Sequence, residues 1–338
     1  MVPSLAVAIA LLLLLALLLQ LYRFARADGD LTLMGAERRG RTPELELINS
    51  VVWVTGASSG IGEELAYQLA RLGCPLVLSA RRENELQRVK QKCLEISSLQ
   101  EKDILVLPLD LADRSTHEAA TKRILQEFGK IDILINNGGR SQRSLFVDTN
   151  LEVYRALMEL NFLGSLSLTK CVLPHMMERN QGKIVMVSSL VGITGGPLTS
   201  GYAASKHALN GFVHSVGAEL FAYPGITVSS VCPGPVQSNI VKNVFTEELS
   251  KPFVSTVTQD SKMSTARCAR LILVSVANNL KEVWIAEHPY LDFFYIWQYM
   301  PTWGWWLMNW LSTRRIQKFQ SGEDADGSYF MLAKKKRT

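Results

Sequence analysis

The 338-residue sequence predicts an α/β fold: a Rossmann-like, doubly wound parallel sheet in three layers, with an N-terminal membrane helix and an aromatic C-terminal extension. Three observations carry this expectation. Short apolar runs alternate with helix-compatible segments from about residue 47 onward. The runs are apolar throughout, as strands covered on both faces are. The first run leads into a glycine-rich turn and then a helix, the start of a βαβ unit.

The elements follow in chain order. Leu5–Leu21 is apolar apart from Gln20 and carries no charge. As a helix it reaches roughly 26 Å, enough for a hydrocarbon core. Ala25-Arg26-Ala27 offers a cleavage signal as the alternative, but no basic residue precedes the run, which favours a retained anchor. Basic residues follow it (Arg23, Arg26, Arg38, Arg39 and Arg41), which places the bulk of the protein on the cytosolic side. Lys335 and Lys336, near the C-terminus, resemble a dilysine retrieval signal and point to the endoplasmic reticulum membrane. The division is therefore an anchor at 1–27, a linker at 28–46, a catalytic domain at 47–288 and an aromatic, basic extension at 289–338. Strands are expected at Ser50–Thr55, Pro75–Ser79, Ile104–Leu109, Ile131–Ile135, Lys183–Ser188, Ile226–Val231 and Glu282–Ala286.

Composition narrows the function. Hydrophobic residues make up 47% and charged residues 20%, which suits a large buried core. A net charge of +5 without a basic, aromatic-studded face argues against a nucleic-acid partner. Five widely spaced cysteines without a CxxC pair indicate free thiols and no metal site.

The first turn reads Thr55-Gly56-Ala57-Ser58-Ser59-Gly60-Ile61-Gly62. Glycines there allow a tight turn and close backbone approach to a pyrophosphate, which the following helix N-terminus attracts. Gly56, Ser58, Ser59, Gly60, Ile61 and Gly62 are thus candidate cofactor contacts. The second strand ends in Arg81 and Arg82, where NAD-specific sites carry an acid for the ribose 2′-OH. A guanidinium pairs with a 2′-phosphate, so NADP(H) is the expected cofactor. Asp110 ends the third strand and could accept from the adenine amino group. Asn137, in Asn136-Asn137-Gly138-Gly139, ends the fourth beside the expected nicotinamide ribose.

Tyr202 and Lys206 are four residues apart and share one face of a helix. A phenol is a poor acid–base group at neutral pH, and a neighbouring ammonium is expected to lower its pKa. It could then donate a proton to a carbonyl oxygen as hydride reaches the carbon. Ser189, thirteen residues before Tyr202, could hold the same oxygen; Ser188 is its neighbouring candidate. His207 and His214, on the same helix, are expected to be structural.

Taken in order, TGASSGIG at 55–62, NNGG at 136–139, SS at 188–189, YAASK at 202–206 and PGPV at 233–236 resemble the short-chain dehydrogenase/reductase family from about Ile48 to Ala286. The likeness is closest to its membrane-anchored retinal and steroid carbonyl reductases. The resemblance implies that Tyr202 is the acid/base, that Lys206 also binds the nicotinamide ribose, and that Ser189 positions the carbonyl. It further implies that Asn161 holds a relay water, that Pro233 and Val236 pass the nicotinamide, and that the protein is a homodimer. A variable substrate lid would span 237–262. The implied reaction is NADPH-dependent reduction of lipophilic carbonyl compounds: retinal, steroids and xenobiotic ketones or aldehydes. An oxidative dehydrogenase would use the same residues. A non-catalytic membrane scaffold would not need Gly60, Tyr202 and Lys206, all of which are present.

Ten aromatic residues fall between Tyr290 and Trp310, followed by Arg314, Arg315 and Lys318. Asp292, Gln298 and Pro301 argue against a second spanning helix. Trp and Tyr collect at membrane–water interfaces, so this segment is expected on the bilayer surface near the active-site mouth; a subunit interface or a flap over the core is the alternative.

Overall fold

A computed structural model describes residues 2–253, 259 and 262–322. Lys335 and Lys336, and part of the expected lid, lie outside the described residues. Seven strands form one sheet: β1 (Val52–Thr55), β2 (Leu76–Ser79), β3 (Ile104–Val106), β4 (Ile133–Asn136), β5 (Gly182–Val187), β6 (Ile226–Pro233) and β7 (Glu282–Ile285). Their order is β3-β2-β1-β4-β5-β6-β7, and every neighbouring pair is parallel. β3 ends three residues before the expected limit. Pro108 has no N–H to donate, although Leu107 and Leu109 still bond the carbonyls of Leu78 and Ala80.

Alternation along β1 explains the three layers. Val52 and Val54 face one way, into a core shared with α4 (Gly60–Arg71), α5 (Glu83–Glu95) and α10 (Thr265–Ala277). Trp53 faces the other way, into a core built with α6 (His117–Phe128), α8 (Gly164–Glu178) and α9 (Ser200–Glu219). Trp53 is fully buried, and its Nε1 donates to Ser79 Oγ at 2.9 Å, so burial leaves no polar atom of the ring unpaired. The strand order reverses between β1 and β4, which opens a crevice at their carboxyl ends.

The first helix, α1 (Val2–Ala25), contains an apolar span at Val7–Ala25 in which no residue is buried and only Phe24 is partly covered. Leu151–Glu178 also passes the length and hydropathy test for a span. It packs into the core through Leu157, Leu168 and Val172 and is part of the α/β body.

The segment expected as a plain linker, 28–46, is instead folded as α2 (Leu31–Arg39) and α3 (Pro43–Glu46). Asp30 caps α2 by accepting from the N–H groups of Thr32 and Leu33. Asp30 also bonds β7 twice: its N–H donates to the Trp284 carbonyl, and its Oδ2 accepts from the Trp284 N–H. Arg267, on α10, holds Asp28 and Glu37 together, and Asn278 clasps the Arg41 backbone on both sides. Leu33 is fully buried beneath this cover.

The extension forms α11 (Tyr290–Tyr299) and α12 (Pro301–Gln320), broken at Met300 and restarted with Pro301 in the first helical turn. Phe293, Phe294, Met308 and Leu311 are buried in a small separate core with Leu190, Cys232 and Ala286.

Candidate active site

Two cavities meet at the carboxyl ends of the strands. One, of about 280 Å³, is lined by Gly56, Ser58, Ser59, Gly60 and Ile61 from the first turn. Arg81 and Arg82 beyond β2, Asp110, and Asn137 beyond β4 complete its walls. Nine of the residues expected to hold the cofactor are thus brought together there. Gly62 lies behind the turn: a Cβ on it would run into the Gly56 carbonyl, so it lets helix and strand approach. Gly56 and Gly60 have φ of +66° and +61°, a conformation that disfavours any side chain, and α4 starts at Gly60. Its first-turn N–H groups have no helical acceptor and suit a phosphate. The Asn137 Nδ2 donates to the Thr55 carbonyl at 3.0 Å and pins the turn to β4. These donors and the glycine cradle fit a nicotinamide dinucleotide cofactor.

The second cavity, of about 260 Å³, is more apolar. Ser189, Tyr202, Lys206, Pro233 and Val236 line it, and so do Phe293, Phe294, Met308 and Leu311 from the extension. Ile61, Asn137, Gly139, Ser238 and Ile240 border both cavities. The nucleotide cleft thus opens into an apolar chamber that Tyr202 lines.

The helix α9 presents Tyr202 and Lys206 one turn apart, with the Lys206 Nζ 5.9 Å from the centre of the Tyr202 ring. Lys206 is buried and donates to the Val187 carbonyl at 2.8 Å. Burial removes water from its ammonium and lowers its pKa to about 8. Tyr202 differs from the expected direction. Its burial pushes the phenol pKa up, opposed by the Ser189 hydroxyl and the Arg143 guanidinium. Desolvation of the phenolate outweighs its partners, so the phenol holds its proton at neutral pH.

Ser189 and Ser188 are separated by their partners. Ser188 is buried, and its hydroxyl donates to the Lys206 carbonyl at 3.1 Å. Ser189 is half-buried beside Tyr202 and donates to the Pro233 carbonyl at 3.3 Å. Asn161 lines neither cavity. It lies in a π-helical turn, Glu159–Leu163, between α8 and the preceding helix α7 (Leu151–Met158). Its Nδ2 donates to Ser205 Oγ and to the Arg140 carbonyl, and its Oδ1 accepts from the Arg140 N–H, all at 2.9 Å. Gly139 passes close to that Oδ1: a Cβ on it would stand 2.9 Å from the Asn161 Oδ1 and 3.7 Å from the Lys206 Nζ. His207 bonds the Ala203 carbonyl and His214 meets Glu282; neither lines the cavities.

Three residues at the site escaped the sequence reading. Gln142, fully buried, accepts the Gly201 and Tyr202 N–H groups at 2.7 and 3.3 Å, which fixes the start of α9. Arg143 lines the apolar cavity and acts on Tyr202. Arg140 lines the nucleotide cleft over the Phe245 ring, and burial together with the positive field of Arg81 disfavours its charge. The one sequence signal was position, since all three follow Asn-Asn-Gly-Gly directly.

Comparison with known proteins agrees with this geometry. A family model described as short chain dehydrogenase matches residues 50–249. Dehydrogenase/reductase SDR family member 7 of Homo sapiens is 64% identical over 317 residues, 94% of each chain. A short chain dehydrogenase/reductase from Burkholderia phymatum, in complex with NAD, superposes with a TM-score of 0.65 at 22% identity, covering 84% of this chain and 99% of that one. An alcohol dehydrogenase from the archaeon Thermococcus sibiricus, complexed with 5-hydroxy-NADP, gives 0.60 at 23%, covering 71% and 97%. The two structures share the fold, and the family match and the human relative decide the membership: the chain belongs to the short-chain dehydrogenase/reductase family of oxidoreductases.

Proposed function

We propose that the protein reduces the carbonyl group of lipophilic substrates with NADPH, from a site anchored in the endoplasmic reticulum membrane. The observation that carries this is that the apolar cavity lined by Ser189, Tyr202 and Lys206 joins the nucleotide cleft at Asn137 and Gly139. Ser58, Ser59, Gly60 and Ile61 would hold the pyrophosphate, Asp110 the adenine, and Asn137 and Lys206 the nicotinamide ribose, with Pro233 and Val236 along the ring. Arg81 and Arg82, joined by Arg140, favour a 2′-phosphate, because clustered guanidinium groups beside one cleft are relieved by an anion. When bound, the reduced nicotinamide supplies hydride to the carbonyl carbon.

The chain supplies the proton. Ser189 donates to the carbonyl oxygen and holds it beside Tyr202. The Tyr202 phenol passes its proton to that oxygen as negative charge develops there. Lys206 stabilises the resulting phenolate, and Asn161 would hold a water that returns a proton through Lys206. Reduction starts from the protonated phenol, the form that burial of Tyr202 favours. The apolar walls of the second cavity support a lipophilic substrate. Burial of Ala27 and the contact of Phe24 with His288 support a retained anchor, because cleavage there would cut into packed structure.

NADPH oxidation with a panel of lipophilic aldehydes and ketones tests the reading. Tyr202→Phe is expected to lower turnover by about 10²- to 10⁴-fold while cofactor binding persists. Turnover that survives the substitution overturns the mechanism.

A further inference from the structure

The hairpin of α11 and α12 has two unlike faces. Its inner face roofs the apolar cavity with Phe293, Phe294, Met308 and Leu311. Gly304 lets the two helices touch, since a Cβ on it would come 2.9 Å from the Trp297 Cα. Its outer face carries Trp303, Trp306 and Trp310, which are 68%, 68% and 50% exposed. Their spacing of three and four residues puts them on one side of α12. Tyr299 and Trp305 extend this surface, and the Arg314 guanidinium lies 5.2 Å from the Trp310 ring centre. Single exposed aromatics are ordinary, but a contiguous indole face calls for a partner.

The position of α1 says which partner. Its last aromatic residue, Phe24, packs edge-on against His288 at 4.9 Å and lies 6.0 Å from Tyr295 of α11. Leu31 donates to the Tyr295 hydroxyl at 3.2 Å. The apolar span thus leaves the catalytic domain against the hairpin itself. The connection is held by the Asp30–Trp284 bonds and the Arg267 ion pairs rather than by a loose tether. A bilayer that takes up α1 begins beside α11. Indole and phenol rings with flanking Arg314 and Lys318 match the headgroup layer.

We propose that the outer face of α12 is seated in the headgroup layer of the bilayer that holds α1, and that the hairpin is the entrance by which membrane-dissolved carbonyl compounds reach Tyr202. This rests on the reductase reading for the identity of the substrate, but not for the membrane contact. Full-length protein in phosphatidylcholine vesicles with brominated acyl chains provides the test, followed by indole fluorescence. Bromine near the headgroup is expected to quench wild type more than bromine at the chain end. The triple variant Trp303→Ser, Trp306→Ser, Trp310→Ser should lose most of that quenching while its melting transition and NADPH binding persist. Its KM for a membrane-dissolved carbonyl should rise on the order of tenfold, with kcat/KM for a small water-soluble carbonyl unchanged. Absent quenching in wild type, or equal quenching in both proteins, overturns the membrane contact. An altered oligomeric state with unaltered quenching does so too and assigns the face to a second copy of the chain. Unaltered KM overturns the entrance. Wild type inactive on both carbonyl compounds strikes the reductase reading alone, and the quenching still judges the membrane contact.

Discussion

Lys206 and Arg81 show how far a residue's neighbours decide its chemistry. The spacing of Tyr202 and Lys206 was legible in the sequence, as was the thirteen-residue distance to Ser189. The balance of desolvation against charge was not, because it depends on how completely the fold removes water. Burial lowers the Lys206 pKa to about 8, so its ammonium is present below that pH and is lost as pH rises through it. Carbonyl reduction at saturating NADPH should therefore be flat below about pH 8 and fall above it. A pH–rate profile that stays flat well beyond this point separates Lys206 charge from the rate. Arg81 makes a prediction of a different kind. Replacing Arg81 with Gln should raise the KM for NADPH roughly 10- to 100-fold, the worth of a hydrogen bond to a charged group, and leave that for NADH unchanged. Equal loss with both cofactors would place Arg81 outside the 2′-phosphate site.

At the scale of elements, the strands and the helices that follow them were readable because each is a local apolar pattern closed by a local turn. Pro108 shortened β3 for an equally local reason. The support of α9 was not readable, since Gln142 reaches it from the loop after β4, 59 residues away in sequence. Gln142 closes the start of that helix with one carbonyl oxygen and also donates to Ser144 Oγ at 3.0 Å. Gln142→Leu leaves the Gly201 N–H buried without an acceptor, a cost of about 1–3 kcal/mol. Lower thermal stability is expected together with a reduced kcat, because Tyr202 sits in the first turn of the loosened helix. A loss of stability with unchanged kcat would make Gln142 structural only.

At the scale of the whole molecule, the apolar helix, the α/β body and the aromatic tail were legible because composition changes sharply between them. Which tail residues turn inward was not legible, since Met308 and Leu311 look no different from the tryptophans beside them until α12 is packed over the apolar cavity. Nor was the folding of 28–46 legible, because the partners of that segment, Arg267, Asn278 and Trp284, lie more than 200 residues downstream. The two bonds between Asp30 and Trp284 have a further consequence. β7 is the last strand of the sheet, and a last strand with bare N–H and C=O groups is a template on which another chain can add itself. Asp30 and α2 occupy that margin. A fragment beginning at Leu47 would keep the cofactor turn and Tyr202 yet uncover both the strand and the apolar seat of Leu33, and light scattering should find it self-associating where a fragment beginning at Asp28 stays dispersed. The stretch that joins α1 to the α/β body thus also covers the margin of the sheet.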